Sequence, residues 1–555
     1  MRGERFLVWA LLGLTTAAMM TGIAAFSSGS DAGATPKPSP GAAHSATAAV
    51  TGQLSPSGRV ARPLELAGYA YPASSSASSR RVTLFVTATV GKWSVTAYRV
   101  TAAPNGDERL TMQWSSRVQP GVQQPTAVTV ASTRTVTTRW RPSLVFDTTT
   151  WLAGFYRLRL TGTGRVHSDI AFVVESSTGA NGTYAGQVVL MSSQITQAAY
   201  NTWGGRSLYR QVGIGPAARS YAVSLDRPVQ AGILGPVRLE EPLVALAQSV
   251  RPALPLAYTT DLTLARHPGQ LVGARALVVP GHSEYWPVSL RHGVQHARDA
   301  GMNLLVFGAN TSYFRVRLQP SDLGPDRVIV SYKDATLDPL AGADPAQATV
   351  RYIDRPGRDP EDSLLGTLFR CSDVKGRFVV TSPEFFAYAG SGTHAGESYP
   401  GLIAFEVDRQ HPHGFDGIVQ VVAHSPVYCG VGASDTDMVY AVSPSGAGTI
   451  DVGTIGWVPA LNSPYPTTRL FTRQVTRNLM VAAAAGPLGN RHPIPRSILS
   501  ALLGLGLTVL VLGMTALVLR RSLRFRHLLT HPLLTHPLLT HPLLTRLPRR
   551  SDVPK

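Results

Sequence analysis

The chain has 555 residues, of which 44% are hydrophobic, enough for the cores of two or three domains and too many for disorder along its whole length. The formal net charge is +18, yet eight Lys or Arg against one Asp lie in 520–555, and the remaining excess is scattered as Arg among Thr and Val. No basic stripe interleaved with aromatics is present, which excludes a nucleic-acid-binding surface. Two cysteines, Cys371 and Cys429, are too few for paired CxxC zinc ligands and offer one disulfide to an exported protein.

Arg2 and Arg5 precede an apolar run over 6–26, the pattern of an export signal, either cleaved near Ala24-Ala25 or kept as an anchor. Residues 27–45, rich in Ser, Gly, Ala and Pro, read as a flexible linker. Short alternating runs then fill 46–180, such as Arg81-Val82-Thr83-Leu84-Phe85-Val86 and Phe155-Tyr156-Arg157-Leu158-Arg159-Leu160. They predict an antiparallel β-sandwich. In 181–485 the pattern changes. The apolar runs 187–191, 276–279 and 303–307 suit strands buried on both faces, with a helix predicted over 288–300. Strand, turn, helix and strand make a βαβ unit, so this domain is expected to be α/β with a mainly parallel sheet. Residues 486–497 read as a second linker.

Residues 498–519 carry no charge and have the length of a transmembrane helix. Arg520, Arg521, Arg524 and Arg526 follow it, against Arg491 and Arg496 before it. The positive-inside rule then places the basic tail, 520–555, in the cytoplasm and the bulk of a membrane-anchored chain outside. The tail repeats His-Pro-Leu-Leu-Thr from 531, 536 and 541, and a proline every fifth residue forbids a regular helix. It reads as a low-complexity extended segment.

Ligands of parallel sheets sit beyond the carboxyl ends of the strands, which directs attention to Gly281-His282-Ser283-Glu284-Tyr285-Trp286. Three readings of this turn stand. A nucleophile elbow at Ser283 needs a small residue two positions on, where the chain has Tyr285. A structural turn would cap the following helix with His282 and Glu284. A metal site would take Glu284 as a hard oxygen ligand, with His282 handling protons. Asn310 follows the next strand, where a side-chain amide can donate to an oxyanion. His292 and His296 lack the Glu of a zincin motif and read as a solvated helix face.

Tyr-Asn-Thr-Trp-Gly-Gly-Arg-Ser-Leu-Tyr at 200–209, Gly-His-Ser-Glu-Tyr-Trp at 281–286 and Phe-Gly-Ala-Asn at 307–310 resemble the large (β) subunit of N,N-dimethylformamidase, C-terminal region. Trp-x-x-Gly-Phe-Tyr at 151–156, Glu361-Asp362-Ser363 and the run 402–408 extend the resemblance over about 150–485. The resemblance implies a β-sandwich beside an α/β domain of glutamine-amidotransferase-like fold. It also implies a mononuclear Fe³⁺ held by two tyrosines and a glutamate. Carried over by motif, these are Tyr156, Tyr200 and Glu284. His282, Asn310, Lys333 and a carboxylate, Glu406 with Glu384 as the alternate, would line the site. The implied function is hydrolysis of an amide C–N bond by metal-activated water; the alternative is a non-catalytic surface module that keeps the scaffold. A small amide-containing substrate is expected, and either a small partner subunit or a homo-oligomer. The family enzyme is soluble and uses a second subunit, whereas this chain is expected to be tethered outside a membrane, so dimethylformamide itself is not the expected substrate.

Overall fold

The computed structural model describes residues 65–491, apart from 210–218, 231, 233–234, 413 and 431, together with Met514 and Thr515. All of these fall in Leu64–Lys555, one of the two units into which the chain divides. The segments read from sequence as an export signal (1–26), a linker (27–45), a transmembrane helix (498–519) and a basic tail (520–555) lie outside the described residues, Met514 and Thr515 excepted.

β-branched residues alternating with polar ones build two facing sheets at the start of the described chain. One joins Leu66–Tyr71, Arg81–Ala88 and Leu144–Asp147, all antiparallel. The other runs Ser74–Ser75, His167–Val174, Gly154–Gly162, Lys92–Ala102 and Glu108–Ser115. Their inward side chains, among them Leu84, Val86, Val95, Leu158 and Phe172, form one core. The period of two divides Gly154–Gly162 between two environments. Tyr156, Leu158 and Leu160 enter the sandwich core, while Phe155 faces away and joins the core of the larger body.

That body is organised by a nine-stranded sheet in the order Leu256–Thr260, Val188–Ser192, Ala276–His282, Asn303–Ala309, Gly448–Asp451, Gly432–Val442, Ile418–Cys429, Lys375–Val379, Ser398–Pro400. The central strands are apolar along their length because both faces are covered. Val188, Leu190, Val278, Leu305 and Phe307 pack with Leu243, Phe471 and Val475 on one side. Val189, Met191, Leu277, Leu304 and Val306 pack with Leu264, Leu290 and Val294 on the other. Each fully buried side chain of this size contributes roughly 1.5–3 kcal/mol.

The expected fold class, a mainly parallel α/β domain flanked by a transmembrane helix, is corrected here. The first five strands pair in parallel, but the remaining four pair antiparallel. Strand makes up 39% of the structure and helix 21%, so sheet dominates. The single βαβ unit visible in the sequence represents only half of the sheet; its other half is the hairpin of Ile418–Cys429 with Gly432–Val442 and its neighbours. Among the described residues no helix is long and apolar enough to cross a membrane. The 20-residue helix Pro466–Ala485 instead lays Phe471, Val475 and Leu479 on the sheet.

A smaller sheet, Ala222–Ser224, Gly324–Val330, Phe314–Ser321 and Tyr285–Pro287, continues from the carboxyl end of the Ala276–His282 strand. Cys371 and Cys429 are joined by a disulfide with Cα atoms 6.1 Å apart. Their bond ties Thr367–Ser372, which pairs with Glu406–Gln410 in a separate two-stranded sheet, to the end of Ile418–Cys429, the longest strand of the antiparallel half.

Leu305 is fully buried in the central strand, so Leu305→Ala is expected to lower stability by about 2–5 kcal/mol. Leu152, 59% exposed, is its control, and Leu152→Ala should stay within about 0.5 kcal/mol of wild type. Urea denaturation followed by tryptophan fluorescence measures both.

Candidate functional site

The strands Ala276–His282 and Asn303–Ala309 end side by side, with His282 opposite Ala309. Their close approach depends on glycine. Gly281 has φ +59°, and a Cβ on Gly308 would collide with the Gly281 carbonyl. The chain then turns sharply, delivering His282, Glu284 and Asn310 to one crevice.

Tyr200 closes the helix Gln194–Tyr200, which follows the neighbouring strand Val188–Ser192. The Asn-x-Trp-Gly-Gly segment after it is a tied loop. Asn201 Nδ2 donates to the Pro228 carbonyl at 2.9 Å, and Asn201 Oδ1 accepts from the Trp203 and Gln230 amides, each at 3.0 Å. The buried Arg227 guanidinium donates to the carbonyls of Trp203, Arg206 and Asn201 at 2.8–3.0 Å. Burial lowers its pKa to about 10. Once folded back this way, the loop returns Tyr209 to the side of Tyr200, with the Leu208 amide donating to the Ala199 carbonyl at 3.0 Å.

Three oxygen-bearing side chains meet there. The Tyr200 hydroxyl lies 2.6 Å from Glu284 Oε2 and 3.0 Å from the Tyr209 hydroxyl. The Tyr209 hydroxyl donates to Glu284 Oε1. The two rings stack with centroids 4.5 Å apart. Burial holds both phenols well above their ordinary pKa, and the Glu284 carboxylate adds to it. Burial also raises Glu284, against the opposing pull of His282.

A second group adjoins the first. His282 Nε2 lies 3.2 Å from Glu406 Oε2 and 3.6 Å from Glu284 Oε2. Burial works against a charged imidazole, but Glu406 and Glu284 outweigh it and hold His282 above its ordinary value. Burial likewise opposes the Glu406 carboxylate; His282 and Asn310 overcome this and lower its pKa. Asn310 Nδ2 donates to Glu406 Oε2 at 2.8 Å, and the Asn310 amide is held by both oxygens of Asp408 at 2.9 and 3.0 Å. Asn310, Lys333 and Phe405, which precedes Glu406, all have positive φ (56°, 59° and 65°). Non-glycine residues in this region are strained, and such strain concentrates at functional sites.

Lys333 Nζ sits 3.5 Å above the Tyr209 ring centroid and 4.4 Å from that of Phe314. Burial lowers its pKa to about 7. Its amide donates to the Thr349 carbonyl, Thr349 donates to Asp338, and Asp338 receives Arg317 of the small sheet at 2.7 and 2.9 Å.

The structure thus brings together Tyr200, Glu284, His282, Asn310, Glu406 and Lys333. Tyr156 is not among them. Its hydroxyl donates to the Leu152 carbonyl at 2.6 Å and its ring packs on Trp151 inside the sandwich. Tyr209 occupies the position that sequence reasoning gave to Tyr156. The period-two pattern already placed Tyr156 with Leu158 and Leu160, and Tyr209 ends the Tyr-Asn-Thr-Trp motif itself. The alternate carboxylate, Glu384, is not a hydrogen-bond or ion-pair partner of these residues. Ser283 is fully buried and accepts from Trp286 Nε1 at 2.9 Å, which gives it a structural place rather than that of an exposed nucleophile. His292 and His296 are exposed on their helix.

Tyr200, Tyr209 and Glu406 line a cleft of about 740 Å³, with Gln197, Val229 and Phe405 among its other walls. Ser372 and Asp373, beside the disulfide-bonded Cys371, also line it. Among the described residues no cluster of three or more His, Cys, Asp or Glu is placed to hold a metal. The donor set here is different in kind: two phenols and one carboxylate.

The family described as N,N-dimethylformamidase beta subunit-like, C-terminal, matches residues 94–469, from the Lys92–Ala102 strand of the sandwich to the Pro466–Ala485 helix. No curated protein matches the chain.

The Arg317–Asp338 pair generates a pH prediction. Burial alone would raise Asp338, but Arg317 and Thr349 hold it at about 2. A carboxyl depressed on folding stabilises the protein above its unfolded pKa, roughly 3.9, and loses that contribution as pH falls through about 2. Asp338→Ala should cost about 3–5 kcal/mol at pH 7, because it leaves Arg317 buried and unpaired. The gap from wild type should narrow between those two pKa values, as chemical denaturation at stepped pH would show.

Proposed function

We propose that this chain, which belongs to the N,N-dimethylformamidase beta subunit-like family, is a hydrolase of amide C–N bonds whose reaction centre is the meeting point of Tyr200, Tyr209 and Glu284. The observation that carries this reading is the convergence of the three oxygens behind the wall of a cleft that Tyr200, Tyr209 and Glu406 line, beside a His282–Glu406 pair. Burying a carboxylate costs several kcal/mol unless it is paired, and a site this costly in a sheet-end crevice is better explained by chemistry than by packing.

Two phenols and a carboxylate are hard, anionic-capable donors that suit a ferric ion. Tyr200, Tyr209 and Glu284 would hold it, and it would supply Lewis acidity toward an amide carbonyl. The chain's own residues do the rest. Glu406, on the cleft wall and held ionised by His282 and Asn310, takes a proton from the attacking water and returns it to the departing amine. His282 carries the balancing charge. The Asn310 amide fixes the Glu406 carboxylate at 2.8 Å. Lys333, over the Tyr209 face, offsets the negative charge of a deprotonated phenol. Val229 and Phe405 keep water from the non-reacting part of the substrate.

The Cys371–Cys429 disulfide supports an exported protein, since such bonds persist in oxidising compartments. The family name refers to a beta subunit, and a second subunit as partner accords with it.

The test is amine release from N-alkyl acetamides by the purified full chain, read together with iron content and visible absorption. Tyr200→Phe and Glu284→Ala should lose iron and the phenolate-to-iron band. Glu406→Gln should keep both while hydrolysis falls about 10²–10⁴-fold. Full iron and unchanged turnover in Tyr200→Phe and Glu284→Ala would overturn the reading.

A further inference from the structure

A second cleft, of about 420 Å³, shares no wall residue with the first. It lies where the sandwich meets the larger body. The turn after Leu66–Tyr71, the end of His167–Val174, the helix Asp261–Arg266 and the start of Gly324–Val330 each give part of its wall. Eight Ser and Thr residues line it, and an apolar ligand would strip their hydroxyls of water without pairing them. Part of this hydroxyl rim is set in a tight turn. Ser76 and Ser79 exchange both backbone hydrogen bonds, at 3.2 and 3.1 Å, and Ser76 Oγ lies 3.1 Å from Ser78 Oγ.

Glu175 is the buried acid of this cleft, 5% exposed. Its Oε1 links the two bodies, accepting from the Ser74 hydroxyl at 2.5 Å and the Thr263 hydroxyl at 2.8 Å. Its Oε2 takes no hydrogen bond from the described residues. Gln270, another wall, has its buried Oε1 unpaired as well. Buried polar atoms are nearly always paired, so these two call for partners that the described chain does not supply.

Charge narrows the ligand. Both wall arginines are already paired, Arg266 Nε with Asp326 Oδ2 at 2.8 Å and Arg327 Nε with Asp226 Oδ1 at 2.7 Å. An anion would meet Glu175 with no unpaired guanidinium to offset it. Burial raises the Glu175 carboxyl, and an ammonium would need its ionised form. A ligand hydroxyl meets Oε2 in either form, donating to the carboxylate or accepting from the acid.

We infer that this cleft is a second, non-catalytic site that binds a neutral saccharide, with sugar hydroxyls on Glu175 Oε2, the Gln270 amide and the Ser–Thr rim, and a C–H face of the ring on Tyr71 and Leu262. It is independent of the amide-hydrolase reading, since no residue of that reaction centre lines it.

Saturation-transfer NMR of the full chain with the methyl glycosides of glucose, mannose, galactose and N-acetylglucosamine tests this. At least one should receive saturation. Glu175→Ala should weaken its binding about tenfold or more. Ser177 is an exposed wall residue whose hydroxyl makes no hydrogen bond among the described residues. Ser177→Trp should therefore fill the cleft without disturbing the fold and abolish binding. Glu406→Gln, in the first cleft, should leave binding unchanged. No glycoside bound, n-butylammonium bound in their place, binding that survives Ser177→Trp or a folded Glu175→Ala, or binding lost in Glu406→Gln would each overturn the inference. Ser177→Trp decides even where Glu175→Ala fails to fold.

Discussion

Everything at the candidate site follows from putting the Glu284 carboxylate where water does not reach it. Removed from solvent, that group stays charged only if its partners return what hydration supplied. Tyr200 and Tyr209 do so from one side and His282 from the other. Each partner comes from a different part of the chain, so the fold must solve one placement problem: bringing a helix end, a returning loop and two strand ends within hydrogen-bond distance. The nine-stranded sheet solves it with adjacent parallel strands that end together. The tied loop around Arg227 solves it for Tyr209.

The surrounding cations and acids fall in line with that constraint. Lys333 is half-buried over an aromatic face, with its pKa lowered to about 7. Glu406 stays charged because His282 and Asn310 face it. Behind them, Asp408 is pushed well above its ordinary value by burial and by Asp451, while its oxygens hold the Asn310 backbone in its left-handed conformation. Asp408 and Asp451 thus lie behind the groups of the candidate site, and the left-handed backbone at Asn310 and Lys333 is held by hydrogen bonds to Asp408 and Thr349.

Much of the site could be read from residues, and the reason is local. The Gly-His-Ser-Glu-Tyr-Trp turn is contiguous, and the runs 276–279 and 303–307 are apolar on both faces, so a βαβ unit and its reactive end stand out. Tyr209 is hidden because the eight residues 201–208 separate it from Tyr200, and no periodicity predicts a loop's return. Tyr156 was drawn in by a short motif, although alternation with Leu158 and Leu160 assigned it to the sandwich. The antiparallel half of the sheet was hidden for another reason. Ile418–Cys429 alternates between buried and exposed positions, a weaker signal than a continuous apolar run, and the pairing it makes is set by Gly432–Val442 across a turn.

On the proposed reading Tyr200, Tyr209 and Glu284 enclose a ferric ion rather than merely hydrogen-bonding to one another. Anomalous diffraction from crystals of the chain, collected on both sides of the iron absorption edge, measures this directly. An iron-specific peak bounded by these three side chains is expected. A map without that peak, from iron-supplemented protein with the three oxygens still hydrogen-bonded together, would contradict it.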